Sequence, residues 1–312
     1  MNELELIRQL TAKLPANEYS RVGAGDDCAV LDLGIPGSDL LFKTDAVVEG
    51  VHFSKSTPAE LIGRKALGRC LSDIAAMGGK PVSVLVTLAL PGSFEPKSIQ
   101  TIYDGMASLA ERYHVSITGG ETTSNPERLL ISVAAIGLVP KGKAILRSGA
   151  LPGDAIFVTG DLGGSIHGKH LEFEPRIREG EWLAREFKLH AMIDLSDGLA
   201  SDLRHILDQS KVGADLHSDS IPISRMARLQ ARAESSAKPP LLAALTDGED
   251  FELAFTVVSR DAVPLLDAWK KEFPEIRLSC VGRISNKTGL RLSDKNGSRE
   301  LNLHGYVHFA QS

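Results

Sequence analysis

The residues of this 312-residue sequence that could do chemistry are acids in places where acids are costly. Asp26 and Asp27 stand in a glycine turn (VGAGDDCA), and Asp45 ends an apolar strand pattern behind Thr44. Asp73 falls inside a helical pattern, and its neighbours at helical spacing, Ala66, Cys70 and Met77, are apolar. Glu121 follows Gly119-Gly120, Asp194 and Asp197 bracket Ser196 where a strand pattern meets a helical one, and Glu249-Asp250 precede a further strand. An ionised carboxylate buried without a partner is strongly destabilising, and several brought together repel one another. Basic side chains or metal cations are the two remedies. Within these motifs Lys43 and Arg147 are the nearest basic candidates, so hard divalent cations fit better. Mg²⁺ held by carboxylates and substrate phosphates is the usual form.

Ordinary readings stand beside these. Asp197, ahead of Gly198 and a helical run from Leu199, also reads as a helix cap. Asp26-Asp27 read as a solvated turn, Asp45 as an acid that satisfies turn amides, and His52 as a half-buried structural histidine. A second theme is a glycine-rich strand-to-helix junction, FVTGDLGGSIHG (157–168), whose amides could face an anion. It lacks the G-K-[ST] of a Walker A loop, and no Rossmann G-x-G-x-x-G, G-x-S-x-G, H-E-x-x-H or EF-hand pattern is present.

The elements that must position these residues follow from period and punctuation. Helical spacing covers 4–14, ended by Pro15, then 58–78, opened by Pro58 and stopped by Gly78-Gly79, and then 96–113. Strand patterns cover 40–53, broken near Gly50, and 82–90, 114–118 and 128–139. The pattern lapses over 140–154, which divides the chain into an N-terminal domain (1–140), a linker (141–154) and a C-terminal domain (155–312). The second domain reads as strands at 155–159, 191–193, 251–258, 278–284 and 290–292. Its helices read at 199–209 and over 225–243, ended by Pro239-Pro240. This mixture predicts an α/β or α+β layered fold.

Composition excludes several classes. With 35 Lys+Arg against 40 Asp+Glu, the net charge of −5 offers no general attraction to nucleic acid or anionic lipid. The most apolar run, 129–139, falls short of the roughly 20 residues of a membrane span. The N-terminus is acidic and amphipathic, unlike a secretory signal. Cys28, Cys70 and Cys280 are odd in number and lack C-x-x-C, which suits a reducing compartment and predicts a cytoplasmic protein with neither disulfides nor zinc.

Taken in order, eight stretches resemble the thiamine-monophosphate kinase family. It belongs to the ATP-binding superfamily that includes aminoimidazole ribonucleotide synthetase and selenophosphate synthetase. They are GAGDDCAV (23–30), KTDAVVEGVHF (43–53), GRKALGRCLSDIAAMGGKP (63–81), ITGGETT (117–123), LRSGALPGD (146–154), FVTGDLGGS (157–165), IDLSDGLASDLRHI (193–206) and DGEDFELAFT (247–256). The resemblance implies ATP-dependent phosphorylation of thiamine monophosphate to thiamine diphosphate by direct in-line transfer. It implies a Mg²⁺ cluster on Thr44, Asp45, Asp73, Glu121, Asp194, Asp197 and one or both of Asp26 and Asp27, with the backbone of Lys43 contributing. Tyr103, Gly120, Glu121, Arg147 and Ser196 would line the nucleotide site, and His52, Glu249 and Tyr306 would contact thiamine monophosphate. Asp45, Asp73, Asp197 and Arg147 would carry the catalytic roles. The superfamily architecture implies two α/β domains and a homodimer whose N-terminal sheets join into a barrel, with nucleotide in the cleft between domains near that seam.

Two departures stand out: Gly119-Gly120-Glu121 where the family reads G-G-D, and Asp247-Gly248-Glu249-Asp250-Phe251 where it reads G-G-E-D-Y. Transfer between two polyanions needs alignment and cations on the developing charge, which accounts for so many acids at one site. Selenophosphate synthetase relies on a reactive Cys or selenocysteine ahead of a lysine, whereas Cys28 here follows Asp27 inside the acidic motif. A synthetase acting on an amidine, and a non-catalytic metal-stabilised nucleotide-binding protein, are the remaining alternatives.

Overall fold

A computed structural model describes residues 3–234 and 236–303; Tyr306 lies outside the described residues. The first half of the chain forms α1 (Glu3–Thr11), β1 (Ser20–Val22), β2 (Ala29–Leu31), β3 (Ser38–Val48), α2 (Ala59–Ala76), β4 (Lys80–Leu90), α3 (Pro96–Arg112), β5 (Ser116–Ser124) and β6 (Leu130–Pro140). Its six strands pair in the order β1-β2-β3-β6-β4-β5, antiparallel except for β4 with β5.

Alternation along β6 buries Ile131, Val133, Ala135 and Val139 and leaves Leu130, Ser132, Ala134 and Ile136 on the other face. The buried face packs on α2, which carries Leu67, Leu71 and Ile74 into the same core. Helix α3 covers α2 at very close range: a Cβ on Gly63 would stand 1.8 Å from the carbonyl oxygen of Ile102. The opposite face of the sheet is open and largely apolar, with Phe42 48% and Leu85 51% exposed.

The second half forms β7 (Ala155–Thr159), α4 (Lys169–Glu172), α5 (Ile177–Glu186), β8 (Leu189–Asp194), α6 (Leu199–Ser210), β9 (Gly213–His217), α7 (Arg225–Ala233) and α8 (Pro240–Thr246). It continues with β10 (Leu253–Val257), α9 (Ala262–Glu272), β11 (Leu278–Ser285), β12 (Gly289–Asp294) and β13 (Gly297–Glu300). These strands pair in the order β13-β12-β9-β11-β7-β10-β8, with only β12 and β9 parallel. Every residue of β7 and β10 is buried, because both faces of this sheet are covered. Leu199, Leu203 and Ile206 of α6 belong to the core on one side, and Trp182 of α5 with Leu265 and Trp269 of α9 to the core on the other. The chain is thus a mixed α/β fold with two sheets.

Several elements differ from the sequence expectation. The strand expected over 114–118 runs as β5 through Gly119-Gly120, since pairing with β4 supplies the hydrogen bonds that outweigh the glycines' strand penalty. The strand expected to Phe53 ends at Val48, and two short strands without a sequence signal, β1 and β2, flank the glycine-rich stretch. Pro239-Pro240 open α8 rather than close a long helix, because a proline in the first helical turn has no needed N–H to lose. Helices α5 and α9 and strands β9 and β13 had no expectation.

Candidate active site

Helix α2 is the spine of the site. It touches β3, β6 and α3 in the first half and α4, α5 and β8 in the second, so its polar stripe faces the seam between the two. Lys65, Arg69 and Asp73 repeat every four residues and share that stripe. Asp73 is only 6% exposed. Asp27, from the loop before β2, and Asp194, from the end of β8, meet it there. One carboxylate oxygen from each of the three lies within 4.8 Å of the others.

The chain partly neutralises this cluster itself. Lys43 Nζ of β3 donates to Asp73 Oδ1 at 2.9 Å, and Ser72 Oγ to Asp194 Oδ2 at 2.7 Å. Arg147 donates from Nε and Nη2 to Asp27 Oδ1 at 3.2 and 2.6 Å, and its backbone N–H binds the Asp26 carboxylate. Asp27 Oδ2 is nevertheless buried with no hydrogen-bond partner among the described residues. Burial, and then the charge of Asp27, push Asp26 and Asp194 up to about 6. Burial also pushes Asp73 well up, more than Lys43 brings it down, and Asp194, Asp45 and Asp27 add to the rise.

A second group adjoins the first. Arg69 donates to both oxygens of Asp45, from Nε at 2.9 Å and Nη2 at 3.3 Å, and from Nη1 to Glu249 Oε1 at 3.3 Å. Lys65, fully buried, donates to Glu249 Oε2 at 2.6 Å and to the His52 carbonyl at 2.6 Å, and stands 2.8 Å from His170 Nδ1. Burial works to raise Glu249, but the hydrogen bond from His170 and the bond and charge of Lys65 bring it down to about 2. Glu249 occupies the left-handed region at φ 63, a conformation costly for a non-glycine residue and held here by its N–H bond to the Ser196 carbonyl.

Two models, described as the N-terminal and C-terminal domains of AIR synthase related protein, match residues 25–139 and 151–295. Thiamine-monophosphate kinase of Rhodopirellula baltica is 40% identical over 294 residues, covering 92% of this chain and 90% of that relative. The Bacillus subtilis thiamine-monophosphate kinase is 35% identical, covering 99% of this chain and all of that relative. A solved structure described as AaThiL complexed with AMPPCP and TMP superposes with a TM-score of 0.82 at 27% identity, over 99% of this chain and 97% of that one. The chain belongs to the thiamine-monophosphate kinase family.

Of the residues that this kinase family implied, the fold brings Asp26, Asp27, Lys43, Asp45, Asp73, Arg147, Asp194 and Glu249 to the seam. Ser196 and Asp197 follow Asp194 there. The N-cap position of α6 falls on Gly198, and Asp202 reaches back and accepts from the N–H groups of Asp197 and Gly198, both at 3.0 Å. His52 Nδ1 accepts from the Val48 N–H at 3.1 Å, a bond that its ordinary reading would also give. Lys43 points its ammonium into the cluster, a side-chain role where a backbone one was expected.

Other implied kinase residues lie apart within one chain. Thr44 is on the opposite face of β3 from Asp45, exposed, with Oγ1 3.4 Å from Ser132 Oγ. Gly120 and Glu121 sit on edge strand β5, three strand steps from β3, or roughly 14 Å. Gly120 admits no side chain, since a Cβ would lie 1.8 Å from the Val86 carbonyl oxygen. Tyr103 packs beside the α2–α3 crossing at Gly63, roughly 15 Å along α2 from Asp73.

The structure also corrects the sequence reading. Asp73 does have cations on its stripe: Arg69 at i−4 and Lys65 at i−8, visible in GRKALGRCLSD but passed over in favour of Ala66, Cys70 and Met77. His170 and Asp202 were missed as well. The anion reading of the 157–168 junction does not hold, because the chain's own carboxylates use those amides. Gly163 N–H donates to Asp250 at 3.0 Å, and Gly164 N–H to Asp247 at 3.0 Å. Asp250, pushed up to about 7 by burial, is held further by Ser165.

Proposed function

We infer that the chain is an enzyme that phosphorylates thiamine monophosphate to thiamine diphosphate with ATP, using the seam beside α2 as its active site. The observation that carries this reading is the meeting of Asp27, Asp73 and Asp194, from three motifs far apart in sequence, with one oxygen of Asp27 buried and without a partner among the described residues. That donor set fits a hard cation: Mg²⁺ binds carboxylate oxygens at about 2.1 Å, so opposite ligands stand roughly 4.2 Å apart. Asp27, Asp73 and Asp194 would hold it, with Asp45, Asp197, Asp26, the Lys43 backbone, Thr44 and Glu121 completing the sites for further ions. Bound Mg²⁺ supplies screening between donor and acceptor phosphates and neutralises charge that develops on the transferred group.

The chain's own part is alignment. Arg147, held in place by Asp27, offers its remaining donors to nucleotide phosphate oxygens. Ser196, Gly120 and Tyr103 line the nucleotide, and His52, Glu249 and Tyr306 the acceptor. Transfer is direct and in line, with no phosphoenzyme. The placement of Thr44, Glu121 and the apolar face of the first sheet supports a homodimer in which a second copy covers that face and closes the barrel. The division at 141–154 lies between the two sheets, and the unpaired cysteines suit the cytoplasm. Among the described residues no helix is long and apolar enough to cross a membrane.

The deciding assay incubates the purified protein with ATP, Mg²⁺ and a panel of acceptors: thiamine, thiamine monophosphate and an amidine-forming substrate. Thiamine diphosphate is expected from thiamine monophosphate alone. Its absence, or turnover only on the amidine precursor, would overturn the reading.

Metal binding has a pH signature. Asp26 and Asp194 sit near 6 when folded against an ordinary 3.8, so between those values the folded chain holds more protons than the unfolded one. That contribution to stability is lost as pH rises through 6, where bound Mg²⁺ would take the place of the protons. Millimolar Mg²⁺ is therefore expected to raise the melting temperature more at pH about 7.5 than at pH about 5. Equal shifts at both, read by differential scanning fluorimetry, would argue against this carboxylate set.

A further inference from the structure

Arg69 has no part in the roles assigned above, yet it joins the proposed metal group to the proposed acceptor group. Its guanidinium is bonded twice to Asp45 and once to Glu249. The side chain is 15% exposed, and its carbon Cζ stands 5.9 Å from the centre of the Phe251 ring, so it is packed in place with an edge at the crevice. Neutralising Glu249 does not explain it, because Lys65 Nζ and His170 Nδ1 already stand 2.6 and 2.9 Å from Glu249 Oε2.

A guanidinium carries five N–H donors, and the bonds from Nε, Nη1 and Nη2 use three of them. One N–H on each terminal nitrogen is left without a partner among the described residues. A cation on Asp45 would add to this fixed positive charge, and an anion beside the two remaining N–H groups would offset it. On the reading given above, that anion is the phosphate of the acceptor.

We propose that Arg69 grips the phosphate of thiamine monophosphate through these two terminal N–H groups, and so makes the site select the phosphate ester over thiamine itself. The proposal rests on the acceptor assignment, which the wild-type assay tests separately: failure to form thiamine diphosphate would remove that assignment whatever Arg69 does.

The test is isothermal titration of the 312-residue chain at saturating Mg²⁺ with thiamine monophosphate and, in parallel, with thiamine. Wild type, Arg69→Met and Arg69→Lys are compared, with KM for both substrates from steady-state rates. Arg69→Met is expected to weaken thiamine monophosphate about tenfold or more, since a lost charge-assisted pair has that size. Thiamine affinity and KM for ATP should each change less than about twofold on the same grounds. Arg69→Lys keeps the charge but loses the fork, and should lie between. Equal weakening of ester and thiamine would make Arg69 a structural brace for Glu249 and overturn the proposal, as would an unchanged ester affinity. Should Arg69→Met not fold, Arg69→Lys carries the same test: an unchanged ratio of ester to thiamine affinity overturns it.

Discussion

Asp73→Asn is expected to lower kcat by about 10³-fold or more, equivalent to roughly 4 kcal/mol of transition-state stabilisation. The same variant should melt close to wild type in the absence of Mg²⁺. Both follow from its place at the centre of the cluster. Asn keeps the shape but lacks the charge that, with Asp27 and Asp194, would draw a cation to the seam. Without a cation that charge is a burden: burial and the neighbouring acids push the Asp73 carboxyl well up, and Lys43 offsets only part of this. The stabilisation by Mg²⁺ should shrink along with the rate. Steady-state assays across a Mg²⁺ titration, paired with melting curves with and without the ion, check the two arms. A near-normal rate at saturating Mg²⁺ would remove Asp73 from the metal set.

Lys65→Met is expected to cost about 3–5 kcal/mol of stability, the usual effect of removing one partner from a buried ion pair. For a chain of this size that is a fall in melting temperature of roughly 5–8 °C. The ammonium is fully buried and serves Glu249 and the His52 carbonyl together, so methionine fills the space and leaves both short of a partner. Glu249 lies at about 2 when folded against an ordinary 4.5. Its contribution to stability is present above 4.5 and lost as pH falls toward 2. The gap between wild type and Lys65→Met should therefore be full near neutral pH and narrow below pH about 4.5. Urea unfolding at several pH values measures this. A variant within about 1 kcal/mol of wild type at neutral pH would contradict it. Adding Glu249→Gln should recover part of the loss, because it removes the carboxylate left behind.

Local period and punctuation decided much of the scaffold. Strands β3, β4 and β6 and helices α2, α3 and α6 lie close to where alternation, helical spacing, prolines and glycines put them, since these signals depend only on neighbours in the chain. Where a distant segment intervened, the local signal failed. Gly119-Gly120 look like a stop, yet β4 pulls them into a strand. Gly163 and Gly164 look like an anion cradle, yet Asp250 and Asp247 occupy it from more than 80 residues away.

The acids were legible as a set because each stands where its local environment makes it expensive, and their order along the chain was enough to identify the family. Which of them meet, and through which cations, belongs to the tertiary structure. Arg69 lies four residues from Asp73, but its partners Asp45 and Glu249 are 24 and 180 residues distant, and no local pattern links them. Asp27, Asp73 and Asp194 come from a loop, a helix and a strand end, and are drawn together because α2 packs its apolar sides into both cores at once. Burial of apolar surface chooses that arrangement, and the charges must then find their partners within it.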